Sequence, residues 1–315
     1  MSEPVSLARP PALRTGDRVA VLCASSPVEP AALNAGLGAL RFAGLDPVTY
    51  PSAHDCGTMR RYLAGDDAMR AGDLRSALTD PGIAGILFAR GGSGAQRTLE
   101  AMDWDGLVPE GPQTRLPPKV LAGFSDVTAL LEAVAVRLGW ASVFGPNIAI
   151  REGGSHYSFG SLLRTLMRPD QATVIRYPRA VTVVPGTARG VTTGGTLSLL
   201  ASSLATDTSR PARGGILLLE DVNEEDYRID RMLTQLRRSG YLDGVAGIVA
   251  GSFAGCGPPE AIQDILAERL GDLQVPMIAW ANVGHGGLFQ AFPYGIAAEL
   301  DAGAATLHLL DAPLS

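Results

Sequence analysis

Apolar positions recur along this chain in two periods. Residues 18–23 (RVAVLC), 83–89 (IAGILFA) and 216–219 (ILLL) are almost unbroken apolar runs, the signature of strands covered on both faces. Val127, Leu130, Leu131, Val134 and Leu138 instead fall at i, i+3, i+4, i+7 and i+11, which lines one face of a helix. Ile229, Met232, Leu233 and Leu236 repeat that helical spacing. The same reading predicts strands at 45–50, 120–122, 245–250, 277–280 and 306–310, and helices at 31–43, 66–78 and near 260–270, with Asp66 near the N-cap of the second. Strands and helices alternate through the first half, which predicts a doubly wound parallel sheet. Between 168 and 190 the chain becomes rich in Pro, Arg, Thr and Val and loses helical period. The expected division is therefore an α/β domain over 1–168, a linker over 169–187 and a second, mixed α/β domain over 188–315.

Composition narrows the class. With 315 residues, 46% hydrophobic and 18% charged, the chain can bury a large core and is long enough for two domains. A net charge of −6 and the lack of any Lys/Arg run argue against a nucleic-acid partner. The start, Met1-Ser2-Glu3-Pro4, has no basic or apolar leader, and no run of about 18 apolar residues follows, so the expectation is a soluble cytoplasmic protein with no membrane partner. Cys23, Cys56 and Cys256 are scattered and odd in number. They encode neither a disulfide framework nor a zinc site, and buried reduced thiols are expected, with no metal and no cofactor.

Four stretches carry candidate chemistry. In Val120-Leu121-Ala122-Gly123-Phe124-Ser125-Asp126 a short apolar run meets a glycine turn and then the helical period. Ser125 thus sits on a tight strand-to-helix turn, beside the unpaired N–H groups of a first helical turn. It reads either as a nucleophile on an elbow or as a plain N-cap. Arg90-Gly91-Gly92-Ser93-Gly94-Ala95 is a second glycine-rich turn, but Arg97 stands where a dinucleotide fingerprint needs glycine, and no P-loop motif occurs. A phosphate cradle, an oxyanion donor and a simple tight turn all fit it.

The third stretch is the acidic cluster after the strand at 216–219, Glu220 to Asp226. Asp226 reads as a cap for the next helix, whereas Glu220 abuts the apolar strand and needs a polar partner. The fourth concerns histidine. His54 and His156 fall in polar loops, and His308 falls at a strand position. His285, in Val283-Gly284-His285-Gly286-Gly287, stands in a loop stripped of side-chain bulk. It reads as a proton carrier that can reach a substrate, or as a loop histidine between turn glycines.

Several motifs in order give the chain a resemblance. Thr15-Gly16-Asp17, Ser25-Ser26-Pro27, Tyr62-Leu63-Ala64-Gly65-Asp66-Asp67 with Arg70 and Leu74, the Arg90 to Ala95 turn and Gly123 to Leu130 come first. Leu219 to Glu224, Tyr227 to Leu233, Gly284-His285 and Pro293-Tyr294-Gly295 complete the set. Over nearly its whole length the chain resembles the LD-carboxypeptidase family of serine peptidases, which includes muropeptide LD-carboxypeptidases and microcin C immunity hydrolases.

That resemblance implies an N-terminal α/β domain like that of glutamine amidotransferases and a C-terminal swivelling β/β/α domain, many members being homodimers. It implies a catalytic triad of Ser125 as nucleophile, His285 as general base and then acid, and Glu220 orienting the imidazole, with the backbone N–H groups of Gly92 and Asp126 as oxyanion hole. Ser93 and Thr196 depart from the Tyr and Asn usual in relatives, and both are candidate substrate contacts. The implied reaction is hydrolysis of an LD-amide bond, releasing terminal D-Ala from muropeptide tetrapeptides. The alternative is cleavage of peptidyl or aminoacyl nucleotides, in which relatives stack the base on an aromatic side chain. Of Trp104, Trp140 and Trp280, only Trp140 falls near a plausible pocket loop, and it reads more simply as helix-end packing. From a different class, a non-catalytic or nucleotide-binding α/β protein remains open.

Overall fold

A computed structural model describes residues 5–55, 57, 60–107, 116–149 and 156–315. The first part of the chain runs β1 (Arg18–Leu22), α1 (Pro30–Phe42), β2 (Asp46–Thr49), α2 (Asp67–Thr79), β3 (Gly85–Phe88), α3 (Ala95–Glu100), β4 (Val120–Gly123), α4 (Thr128–Arg137), β5 (Ser142–Phe144) and α5 (His156–Met167). It continues through β6 (Val174–Arg176), β7 (Val181–Val184), β8 (Thr187–Thr196), α6 (Leu197–Ser202), β9 (Gly215–Val222), α7 (Asp226–Arg238), β10 (Gly247–Ala254) and α8 (Pro259–Leu270). The last elements are β11 (Met277–Ala279), β12 (Phe292–Tyr294), β13 (Ala297–Asp301) and β14 (Thr306–Leu309).

β2, β1, β3, β4 and β5 lie side by side and parallel, and β12 returns from the far end of the chain to pair antiparallel with β5. β3 is buried at every position, as its apolar run predicts for a strand with helices over both faces. The strand order reverses across β1 and β3, so the loops leaving their C-terminal ends diverge and open a crevice. The Arg90 to Gly94 turn and the Ser125 turn both follow strands of this sheet, at that same end.

The second sheet has the order β6-β14-β13-β8-β9-β10-β11-β7, with β8 to β11 parallel. The stretch expected as a linker, 169–187, thus holds two edge strands of this sheet. One core cluster joins the units: Leu121, Leu130, Leu131 and Phe144 from the first sheet side pack with Ile216, Leu218, Ala298 and Leu300 from the second. Truncating any one of these buried leucines to alanine costs about 2–5 kcal/mol, which ties the relative placement of the sheets to stability.

Three local expectations change. Asp226 is the first residue of α7 and Glu225 holds the cap position without a side-chain bond; the Asp226 carboxylate accepts from the adjacent Tyr227 N–H at 2.6 Å instead. His156 opens α5 rather than sitting in a loop. Strand β8, with its glycines and threonines, carries no apolar run by which the sequence announces it. Asp66 caps α2 as predicted, accepting from Met69 N at 2.7 Å. Cys23 and Cys256 are buried free thiols, and Cys56 lies outside the described residues. Among the described residues no helix is long and apolar enough to cross a membrane.

Candidate active site

Gly123 ends β4, Phe124 is extended, and Ser125 then takes φ 66°. A non-glycine residue in that left-handed region costs about 1–2 kcal/mol and needs its surroundings to hold it. Two contacts do so. Asn147 Oδ1 accepts from Phe124 N at 3.2 Å, and the buried Asp126 carboxylate accepts from Ala95 N at 2.7 Å, at the start of α3. Burial raises the Asp126 carboxyl above its ordinary range, against the lowering pull of that N–H. The cap positions of the short turn and of α4 fall on Phe124 and Val127, with no side-chain cap at either. The N-cap reading of Ser125 therefore does not describe the turn.

The glycine-rich turn packs directly on this elbow. A Cβ on Gly91 would lie 2.9 Å from Ser125 Cβ and 3.0 Å from Phe124 O, and one on Gly92 (φ 110°) would lie 2.2 Å from Ser26 Oγ. Bare backbone is what lets these chains approach. Ser26 Oγ accepts from Ser93 N at 3.0 Å and donates to Tyr62 O at 2.7 Å, fixing the turn; Ser93 itself is exposed. Behind it, fully buried Arg70 donates to Gly65 O at 2.8 Å and Thr98 Oγ1 at 3.0 Å. Among the described residues, the N–H groups of Gly92 and Asp126 have no protein acceptor, the condition an oxyanion hole requires.

The acid and the imidazole come from the second sheet. Glu220, near the end of β9, is completely buried. Its Oε2 lies 2.7 Å from His285 Nδ1 and also accepts from His285 N at 3.1 Å. Because a carboxylate only accepts, this bond holds a proton on Nδ1, so that a neutral imidazole presents its lone pair at Nε2. Gly284 (φ 98°) makes the approach possible: a Cβ there would lie 2.2 Å from Glu220 Oε2. Phe124 braces the ring, with centroids 4.7 Å apart, and Phe289 packs on Phe124 at 4.9 Å. Neighbouring Asp221 is also buried, accepts from Ser198 N at 2.8 Å, and is pushed by burial up to about 6.

Thr196 ties the two halves together. It is the register partner of Glu220 across β8 and β9, and its hydroxyl donates to Glu220 Oε1 at 2.5 Å. Its own N–H donates to Thr128 Oγ1 at 3.1 Å, three residues past Ser125. A chain of hydrogen bonds thus runs from the start of α4 through Thr196 and Glu220 to His285.

Ser125, His285, Gly91, Gly92, Phe124, Asn147 and Phe289 line one cavity of about 800 Å³. Among the described residues His285 bonds only Glu220, and no hydrogen bond joins its ring to Ser125 Oγ. Such bonds are often long before substrate is present and shorten when it binds. A hydroxyl on a strained turn, a lone-pair nitrogen backed by a buried carboxylate and two unpaired N–H groups are together suited to acyl transfer. The structure brings Ser125, Gly92 and His285 to the cavity, with Asp126 and Glu220 directly behind them. It sets Thr196 behind Glu220, outside the cavity lining. Sequence reading did not single out Asn147 or Phe289, and it took Phe124 and Thr128 only as part of the Gly123 to Leu130 motif, with no role for either side chain.

Comparison with known proteins finds relatives along nearly the whole chain. Residues 19–145 match the LD-carboxypeptidase N-terminal domain and 189–300 the LD-carboxypeptidase C-terminal domain. A candidate carboxypeptidase of Streptomyces coelicolor is 48% identical over 96% of both chains. The murein tetrapeptide carboxypeptidase of Pseudomonas aeruginosa is 31% identical over 90% of this chain and 93% of its own. The solved structure of MccF in complex with glutamyl sulfamoyl guanosine superposes with a TM-score of 0.85 at 20% identity, covering 98% of this chain and 100% of that one. By both domain matches and by relatives aligned along almost its entire length, the chain belongs to the LD-carboxypeptidase family.

Proposed function

We propose that this protein is a serine-type LD-carboxypeptidase that removes the terminal D-Ala from muropeptide tetrapeptides. The observation that carries the reading is the buried Glu220 bonded to His285 Nδ1 at 2.7 Å, at the wall of the cavity that Ser125 also lines. Ser125 Oγ attacks the carbonyl on the L-configured side of the scissile amide while His285 Nε2 takes its proton. The oxygen of the tetrahedral intermediate accepts from the N–H groups of Gly92 and Asp126. The C–N bond then breaks, and His285 returns the proton to the departing D-amino acid. Water repeats the sequence on the acyl-enzyme, with His285 again as base.

Two observations support a peptide substrate over a nucleotide. The relative from Pseudomonas aeruginosa is named for murein tetrapeptide. Among the described residues none of the three tryptophans lines the cavity, and Trp140 is buried in the core.

The test is release of D-Ala from an LD-tetrapeptide by purified protein. Ser125→Ala and His285→Ala are each expected to lower the rate by roughly three or more orders of magnitude, with melting curves unchanged in form. A folded Ser125→Ala protein with full activity would refute the assignment.

A further inference from the structure

The cavity holds a charge that acyl transfer does not use. Arg90 follows β3 and immediately precedes Gly91 and Gly92, and it lines the same cavity as Ser125 and His285. Its Nη1 donates to Pro27 O at 2.7 Å, which pins one corner of the guanidinium to the loop after β1. Among the described residues the other donors of that group have no protein acceptor, and no carboxylate pairs with it. Glu29, the one acid among the described lining residues, is committed elsewhere. Its two oxygens accept from Ala31 N at 2.9 Å and Ala32 N at 2.7 Å, at the start of α1, and those N–H groups hold its carboxyl below the ordinary range. Among the described lining residues Arg90 is thus the one permanent cation.

We propose that Arg90 is a carboxylate subsite, in which the free edge of the guanidinium takes a carboxylate of the peptide substrate. This rests on the LD-carboxypeptidase reading. A carboxylate that enters a cavity loses hydration and needs a charged, hydrogen-bonding partner in return. A guanidinium anchored at one corner offers two parallel donors in the geometry a carboxylate accepts. Position favours the terminal carboxylate. In a carboxypeptidase substrate that group belongs to the leaving residue, about one residue spacing of 3.8 Å beyond the scissile carbonyl. Arg90 stands two residues before Gly92, a proposed oxyanion donor, within reach of a long side chain. A carboxylate on the acyl side of the bond shares the chemistry, so the test separates the two.

The experiment measures kcat/KM of the wild type, Arg90→Gln and Arg90→Lys on three peptides. These are an LD-tetrapeptide, its terminal carboxamide, and the same tetrapeptide amidated at the acyl-side carboxylate. Arg90→Gln is expected to lower kcat/KM on the free acid by about 10- to 100-fold, chiefly through KM. On the carboxamide it should change little, and Arg90→Lys should retain part of the wild-type value. If the sensitivity disappears only with acyl-side amidation, the subsite stands and its carboxylate is the other one. Equal losses on all three peptides overturn it. Binding of the same peptides to Ser125→Ala, with and without Arg90→Gln, reads the subsite without turnover. Discrimination between acid and amide in that binding, together with a folded wild type that releases no D-Ala from any of the three peptides, would uphold the subsite while sinking the hydrolase reading.

Discussion

Replacing Thr196 with valine removes one hydrogen bond and almost no volume. The hydroxyl lies 2.5 Å from Glu220 Oε1, and both residues are buried, 2% and 0% exposed. Valine keeps the strand and its N–H bond to Thr128 but leaves a buried carboxylate oxygen without a donor. A hydrogen bond to a charged group contributes about 1.5–3 kcal/mol. If that energy serves to hold Glu220 behind the imidazolium formed during the reaction, its loss appears in kcat as about a 10- to 150-fold fall. KM should hardly move, because Thr196 is not part of the cavity lining. The assay is initial-rate release of D-Ala from an LD-tetrapeptide across substrate concentration, well below the melting temperature of both proteins. Thr196→Ser, which restores a donor, should recover most of the loss. Wild-type kcat in Thr196→Val would refute the reasoning. So would a raised KM at unchanged kcat, which would make position 196 a substrate contact instead.

Other perturbations probe the same architecture. Gly284→Ala sets a methyl where the structure allows 2.2 Å to Glu220 Oε2 at φ 98°; it should cost about 1–3 kcal/mol in stability and lower kcat more than tenfold, and an unchanged melting temperature with full activity would count against the close approach. Glu132 on α4 is buried at the junction with the second unit, where its Oε1 accepts from Tyr241 Oη at 3.2 Å and Arg210 N at 3.4 Å while Oε2 has no partner among the described residues. Burial pushes its carboxyl from 4.5 up to about 8, so the folded chain keeps a proton that the unfolded chain has lost, and stability falls as pH rises through that window. Glu132→Gln should therefore gain stability over the wild type progressively from about pH 5 to pH 8, by a few kcal/mol in order of magnitude, and level off above; a gain equal at every pH would contradict the assigned burial.

Much of this protein is legible one segment at a time. The unbroken apolar runs at β1, β3 and β9 announce buried parallel strands, and the 3.6-residue period after Asp126 announces α4, because both patterns record local geometry. The glycines around Ser125 and His285 mark places where backbone must come close to something. What they approach is not written beside them. Gly284 is glycine because Glu220, 64 positions earlier in number, occupies the space of its Cβ. Gly195 is glycine because Thr128 of the other unit lies 2.8 Å from where a Cβ would sit.

The sequence by itself determined two α/β units, the tight turn at Ser125 and the Glu220 and His285 side chains able to pair. Tertiary structure alone decided that β8 joins the parallel strands despite lacking an apolar run, and that β12 crosses back to close the first sheet. It also decided that Thr196 stands behind Glu220 rather than in the cavity, and that Arg90 lines the same cavity as Ser125 and His285. Period and propensity report the conformation of a few neighbouring residues, whereas strand register and side-chain pairing are settled by contacts between distant segments competing for the same buried space.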